Sequence, residues 1–252
     1  MNKLLHPTAI KFSNRSCVWL PFCWWSICYT IWITRGCDPF FPFISEFGSW
    51  EPEATIFCVG LNLTAAAFLL RVIQLHQVQH QRMRYLALGL WWQITNHLAL
   101  GAGVVVSLAV WALAFVPWNQ NISLHLILAM TIFRGGLLWC VLATCMTWKF
   151  KGNFPDLKKA LFLRLAGSIA TGIGLVGMIQ TVVVVYTNDV QFLPQRIQLS
   201  LSDKMAFCSE IPLTDLVYGA AFEWVLVIGL LFVSWTFNAD LRRYTVKNAQ
   251  RY

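Results

Sequence analysis

Charge is what this chain has least of. Only 12% of its 252 residues are Asp, Glu, Lys or Arg, and 58% are hydrophobic, whereas a soluble domain carries about 25% charged residues. The shortage excludes an ordinary soluble domain. Catalytic signatures are missing too. There is no Gly-x-Ser-x-Gly, no His-Glu-x-x-His and no phosphate-binding loop, so no catalytic residue, metal site or cofactor is expected. The basic residues are scattered over short segments with no folded basic module, which argues against nucleic acid as a partner. Internal repeats and low-complexity segments are also absent.

What the chain does have is apolar length. Six runs, at 16–34, 54–74, 94–116, 124–148, 160–186 and 214–237, each approach or exceed the roughly 20 residues that a helix needs to cross a bilayer core. The expected fold class is all-α: a polytopic membrane protein, a six-transmembrane-helix bundle forming one membrane domain over 1–252, with the lipid bilayer as its first partner. Lys3, Lys11 and Arg15 precede the first run as they would in a signal peptide. That run is long and Trp-rich, and Arg35-Gly36-Cys37 after it offers no small-x-small cleavage site, so it reads as a retained anchor. Tyr85 to Val116 would measure about 48 Å as helix, more than a core of ~30 Å. The third span is therefore expected to start near Ile94, with Trp91 and Trp92 at the interface. Residues 75–84, rich in Gln and His, read as an inner loop. Loop 117–123 makes spans three and four a tight hairpin. The Leu-Ser alternation of Ile197–Ser202 suggests a brief strand.

Lysine and arginine set the orientation. With both termini cytoplasmic, the inner loops and tails hold 13 basic residues: Lys3, Lys11, Arg15, Arg82, Arg84, Lys149, Lys151, Lys158, Lys159, Arg242, Arg243, Lys247 and Arg251. The outer side holds 3: Arg35, Arg196 and Lys204. The positive-inside rule favours that arrangement. The basic inner face would meet anionic lipids, at roughly 1 kcal/mol per Lys or Arg near the surface, and leaves room for cytoplasmic protein partners.

Charges inside the spans are candidate site residues. By helical rise, Arg134 in span four lies about 16 Å from the outer end, Glu223 in span six about 14 Å, and Asn62 in span two about 12 Å. Arg134 and Glu223 are expected to pair near the midplane, with Asn62 joining them in a buried polar cluster. His97 and Asn96 read as helix contacts. His76 and His80, at i, i+4 spacing, lack a Cys or acid nearby to complete a metal site. Of eight cysteines, only Cys37 and Cys208 fall in outer loops, which makes them the natural disulfide in an oxidising lumen or exterior. The small-residue stripe Ala166-x-x-x-Ala170-x-x-x-Gly174 reads first as packing within the bundle and second as a dimer face.

Between spans one and two lies Pro42-Phe43-Ile44-Ser45-Glu46-Phe47-Gly48-Ser49-Trp50-Glu51-Pro52-Glu53. Pro42 and Pro52 restrict its backbone and Gly48 permits a turn between them, while Phe40, Phe41, Phe43 and Trp50 suit headgroup level. The order Pro42, an aromatic, Ile44-Ser45-Glu46, Gly48, then Pro52-Glu53 opening the next span resembles the DRAM family, the damage-regulated autophagy modulators and their six-span relatives. Glu223-Trp224 and Asn62 also match family positions. Glu51 stands where relatives often have a second Pro, and Arg134 where they are usually uncharged. The resemblance implies a non-enzymatic membrane protein that modulates autophagy from lysosomal or other endomembranes. Other branches imply a plasma-membrane adaptor that places a phosphoinositide kinase complex, or a Golgi factor or enzyme in lipid-anchor remodelling.

The charge bias has a direct check. Cysteine labelling of intact cells should reach residues placed at Ser49 and Gln195 and miss those placed at Gly152 and Asn248. Labelling at Gly152 from outside would contradict this topology.

Overall fold

Apolar runs of this length satisfy their backbone groups inside a bilayer by closing each N–H onto its own helix. A computed structural model describes residues 3–39, 42–155, 157–188, 192–209, 214–238 and 240–241. Phe40, Phe41 and the basic tail from 242 onward lie outside the described residues. The helices are α1 (Pro7–Thr34), α2 (Glu53–Tyr85), α3 (Leu90–Leu113), α4 (Ile122–Phe150), α5 (Leu157–Asn188), α6 (Phe192–Ser202), α7 (Lys204–Ser209) and α8 (Thr214–Thr236). No strand occurs among the described residues. Six of the helices, α1 to α5 and α8, are long and apolar enough to cross a membrane.

The helix ends follow local chemistry. Pro7 opens α1, where its missing N–H costs nothing. Gly36, at φ +84°, closes it: Gly36 N–H donates to Ile33 O at 3.0 Å and Cys37 N–H to Trp32 O at 3.3 Å. This left-handed glycine cap satisfies the last carbonyls and aims Cys37 off the helix end. Asn121 caps α4 by accepting from Leu124 N–H at 3.1 Å.

Two expectations are corrected. Residues 75–84 are not a loop; α2 runs unbroken for 33 residues, about 50 Å. Its buried positions Val72, Leu75, Val78, Gln79 and Met83 recur at helical spacing and carry the helix past the apolar run. The reversal is confined to Leu86–Gly89, with Ala87 at φ +49°, so α3 begins at Leu90 and takes in Trp91 and Trp92. Ile197–Ser202 belongs to α6 rather than a strand. There burial falls on Arg196 and Ser200, four residues apart, while Leu201 is exposed, which is helical periodicity.

Neighbours in the bundle run α1–α2–α3–α4–α5–α8, and α8 returns to α1 and also touches α4. The tightest seam joins α5 to α8. A Cβ at Gly174 would stand 2.5 Å from Leu226 N, and one at Gly167 would stand 2.7 Å from Val233, so the backbones meet almost directly. The seam uses Gly167, Thr171, Gly174 and Gly177 rather than Ala166, which is exposed. A narrow apolar cavity of about 150 Å³ lies among α1, α2, α3, α4 and α8. Leu5, Ile10, Val78 and Leu241 form one cluster, so the described N-terminal residues meet the segment after α8 at one end of the bundle. The opposite end carries the 42–53 segment.

Candidate functional site: the capped end of the bundle

Residues Ile44–Gly48 form one 3-10 turn that inserts among α1, α2 and α8. Phe47 is buried against Trp32, with ring centroids 6.2 Å apart. A Cβ on Gly48 would stand 3.0 Å from the Phe57 ring, so glycine lets the turn sit down on α2.

The first N–H groups of any helical turn lack partners within it, and two carboxylates supply them. Glu46 accepts from Phe43 N–H at 3.1 Å. Glu223, reaching from α8, accepts from Ile44 N–H at 2.6 Å. The next residue, Trp224, donates from its indole to Pro42 O at 2.9 Å. Glu223-Trp224 and the loop motif are thus two halves of one contact.

The charges around the turn are spent on one another. Arg196 bonds the second oxygen of Glu46 at 2.6 Å and lies over the Phe207 ring at 4.1 Å. Glu53 is bridged by Arg35 at 2.8 Å and by Lys204 at 3.3 Å. Burial pushes the Lys204 ammonium below its usual range; Glu53 opposes this and Arg35 adds to it. All three cations assigned to the outer side by sequence therefore pair with the two acids Glu46 and Glu53. Cys37 and Cys208 are disulfide-bonded, at S–S 2.06 Å and Cα–Cα 4.9 Å, and Asp38 N–H donates to Cys208 O at 3.0 Å. Trp50 donates to Ser200 O at 2.9 Å. These contacts fix α6 and α7 across the turn as a cover.

The expected cluster of Asn62, Arg134 and Glu223 does not form. Glu223 uses the Ile44 N–H, which the inserted turn brings to it. Asn62 bonds its own helix, donating to Cys58 O at 2.8 Å. Arg134 is exposed on α4 and makes no ion pair among the described residues. Arg134 and Glu223 do line one chamber of about 310 Å³ between α4, α5, α8 and the turn. Ser45 and His125 line both this chamber and the central cavity. His125 Nδ1 lies 2.7 Å from Val116 O.

A second polar cluster, at the chain-end side, was not expected from sequence. Asp240 is buried between Arg82 and Arg164 and bonded to both. Burial pushes the Asp240 carboxyl up, but the two guanidiniums outweigh it and hold it below the usual range. Arg164 also bonds Thr147 and donates to Thr236 Oγ1 at 2.9 Å, stacking 3.7 Å over Phe237. Arg71, fully buried, donates to Ser234 O at 2.8 Å and Ser13 O at 2.9 Å, carbonyls of α8 and α1; the first lies in the negative last turn of its helix. The available signals were Arg71 and Arg164, two charges inside the apolar runs 54–74 and 160–186, and Asp240, a rare acid within a strongly basic end. His76 and His80 do lie on a helix, with ring centroids 6.2 Å apart, yet no group of three or more His, Cys, Asp or Glu placed to hold a metal occurs among the described residues.

A comparison with protein-family models matches residues 14–244 to the Frag1/DRAM/Sfk1/Cwh43P N-terminal domain. Searches of curated proteins and of solved structures return no match.

The Glu46–Arg196 pair makes the cap testable. Removing one member of a buried pair costs about 3–5 kcal/mol, because the other charge is stranded. Arg196→Met should markedly lower the thermal unfolding midpoint in detergent, and Glu46→Gln added to it should restore part of the loss. Strictly additive losses would show that the pair is not coupled.

Proposed function

This chain belongs to the Frag1/DRAM/Sfk1/Cwh43P family, and we propose that it acts as a non-enzymatic modulator of autophagy in lysosomal or other endomembranes. The observation that carries this reading is the state of the family loop. Its acids are committed to internal partners: Glu46 to Phe43 N–H and Arg196, and Glu53 to Arg35 and Lys204. Groups held in this way keep a shape rather than move protons, which suits a protein acting through its surfaces. The 13-to-3 distribution of Lys and Arg between the two sides assigned from sequence supports placing both termini in the cytoplasm. The basic face there would attract anionic lipid and remains open to cytoplasmic protein partners.

A second reading, lipid-anchor remodelling in the Golgi, is favoured by a different observation. Ser45, His125 and Glu223 line both the central cavity and the lateral chamber, placing polar groups against apolar space that could receive a lipid chain. The plasma-membrane adaptor reading has only the basic face in its support.

Imaging a tagged copy against lysosomal, Golgi and plasma-membrane markers, with autophagic flux measured after depletion, separates the three. Lysosomal or other endomembrane signal with altered flux is expected. Golgi signal with unchanged flux and altered release of lipid-anchored surface proteins would favour the second reading. Signal confined to the plasma membrane would favour the adaptor.

A further inference from the structure

Arg134 stands in the middle of a membrane helix, exposed, with no ion pair or hydrogen bond to the protein among the described residues. A bare cation at that depth is costly and requires a counter-charge. The chamber beside it shows where that counter-charge can come from. Leu126, Arg134 and Val183 line it and are exposed, whereas Phe133, Met178, Glu46, Arg196 and Glu223 line it and are buried. It therefore runs from the lipid-facing surface between α4 and α5 into the polar underside of the cap. Its volume of about 310 Å³ lies at the lower end of the range for small-molecule sites, roughly 300–1,000 Å³.

The buried side chains already have partners: Arg196 is paired with Glu46, and Glu223 accepts the Ile44 N–H. Among these charged side chains only Arg134 has no partner within the described residues, so an occupant that presents an anionic group can pair with it. Phe133, Met178, Ile179 and Val182 make the remaining wall apolar, and that wall suits an acyl chain rather than a free ion. His125, nine residues before Arg134 on α4 and lining the same chamber, continues the polar surface toward the capped end, the direction of the headgroups.

We propose that this chamber holds an anionic membrane phospholipid, admitted sideways between α4 and α5, with its phosphate paired to Arg134 and an acyl chain against Phe133, Met178 and Val182. A guanidinium is suited to the task because it presents several N–H donors to phosphate oxygens in a planar fork.

The test uses the full chain in phosphatidylcholine nanodiscs doped with phosphatidylglycerol carrying a photoreactive acyl chain. Cross-links should map to peptides containing Met130, Met178 or Val182, and should exceed those from equally labelled phosphatidylcholine. Arg134→Gln should lower them about tenfold, the loss of roughly one charge-assisted contact. Val183→Trp, which narrows the mouth and leaves the charge in place, should lower them as well. Both variants should keep the Cys37–Cys208 bridge and elute as the parent does, since both positions are exposed. Unlabelled phosphatidylglycerol should compete and inorganic phosphate should not. Four results would overturn the proposal: labels scattered around the whole bundle, labelling indifferent to Arg134→Gln, competition by inorganic phosphate (a free-anion site), or conversion of a dimer to a monomer by Arg134→Gln (a second copy as the occupant).

Discussion

The capped end depends on one contact: a carboxylate on α8 that accepts the first free N–H of a turn arriving from between α1 and α2. A glutamate inside a membrane bundle carries a large desolvation cost unless it is bonded. The Ile44 N–H, 2.6 Å away, lacks a partner within its own turn. Each group offsets part of the other's penalty. Trp224 fixes the neighbouring Pro42 carbonyl at 2.9 Å, so the turn is held through its backbone at two points. Phe47 is left free to fill the mouth of the bundle against Trp32, and the bare backbone at Gly48 lies close to the Phe57 ring.

The rest of the cap builds on that seat. With the turn in place, Glu46 faces Arg196 and draws α6 over the opening, and Trp50 reaches the Ser200 carbonyl. The disulfide then joins the end of α1 to α7. At the chain-end side the same economy recurs in reverse. One acid, Asp240, is shared by Arg82 and Arg164, and Arg71 settles on two helix carbonyls. Both ends are thus cross-tied by buried polar groups around a middle that is apolar. In that middle the α5–α8 glycine seam supplies close backbone contact without charged side chains. Arg134 is the exception to this internal matching, and its freedom draws attention to the chamber beside it.

Much of this was legible in the sequence, for reasons that differ from residue to residue. The six spans follow from apolar length alone. Cys37 and Cys208 were identifiable as the pair left outside the spans. The loop motif and Glu223-Trp224 were both recognisable by resemblance, but as separate features; nothing in a linear pattern says that a loop will dip into a bundle and meet a helix 180 residues away. Arg134 and Glu223 were matched because depth along a helix can be counted, whereas the direction a side chain faces around the helix cannot be fixed without knowing its neighbours. The helical extension of α2 to Tyr85 was hidden because hydropathy ends where the membrane ends, while the helix continues on packing at Val78 and Met83. The strand reading of Ile197–Ser202 failed because a two-residue alternation six residues long is too short to compete with burial at Arg196 and Ser200.

The most direct measurement of this account is amide hydrogen exchange of the segment containing Ile44–Gly48, compared between the parent chain and Glu223→Ala. The account predicts a protected segment in the parent. In the variant, exchange should be faster at Ile44 and through the turn, while peptides around Arg71 and Asp240 at the other end stay unchanged. Equal protection of Ile44 in both proteins would contradict it, because the turn would then be seated without the carboxylate that is held here to anchor it.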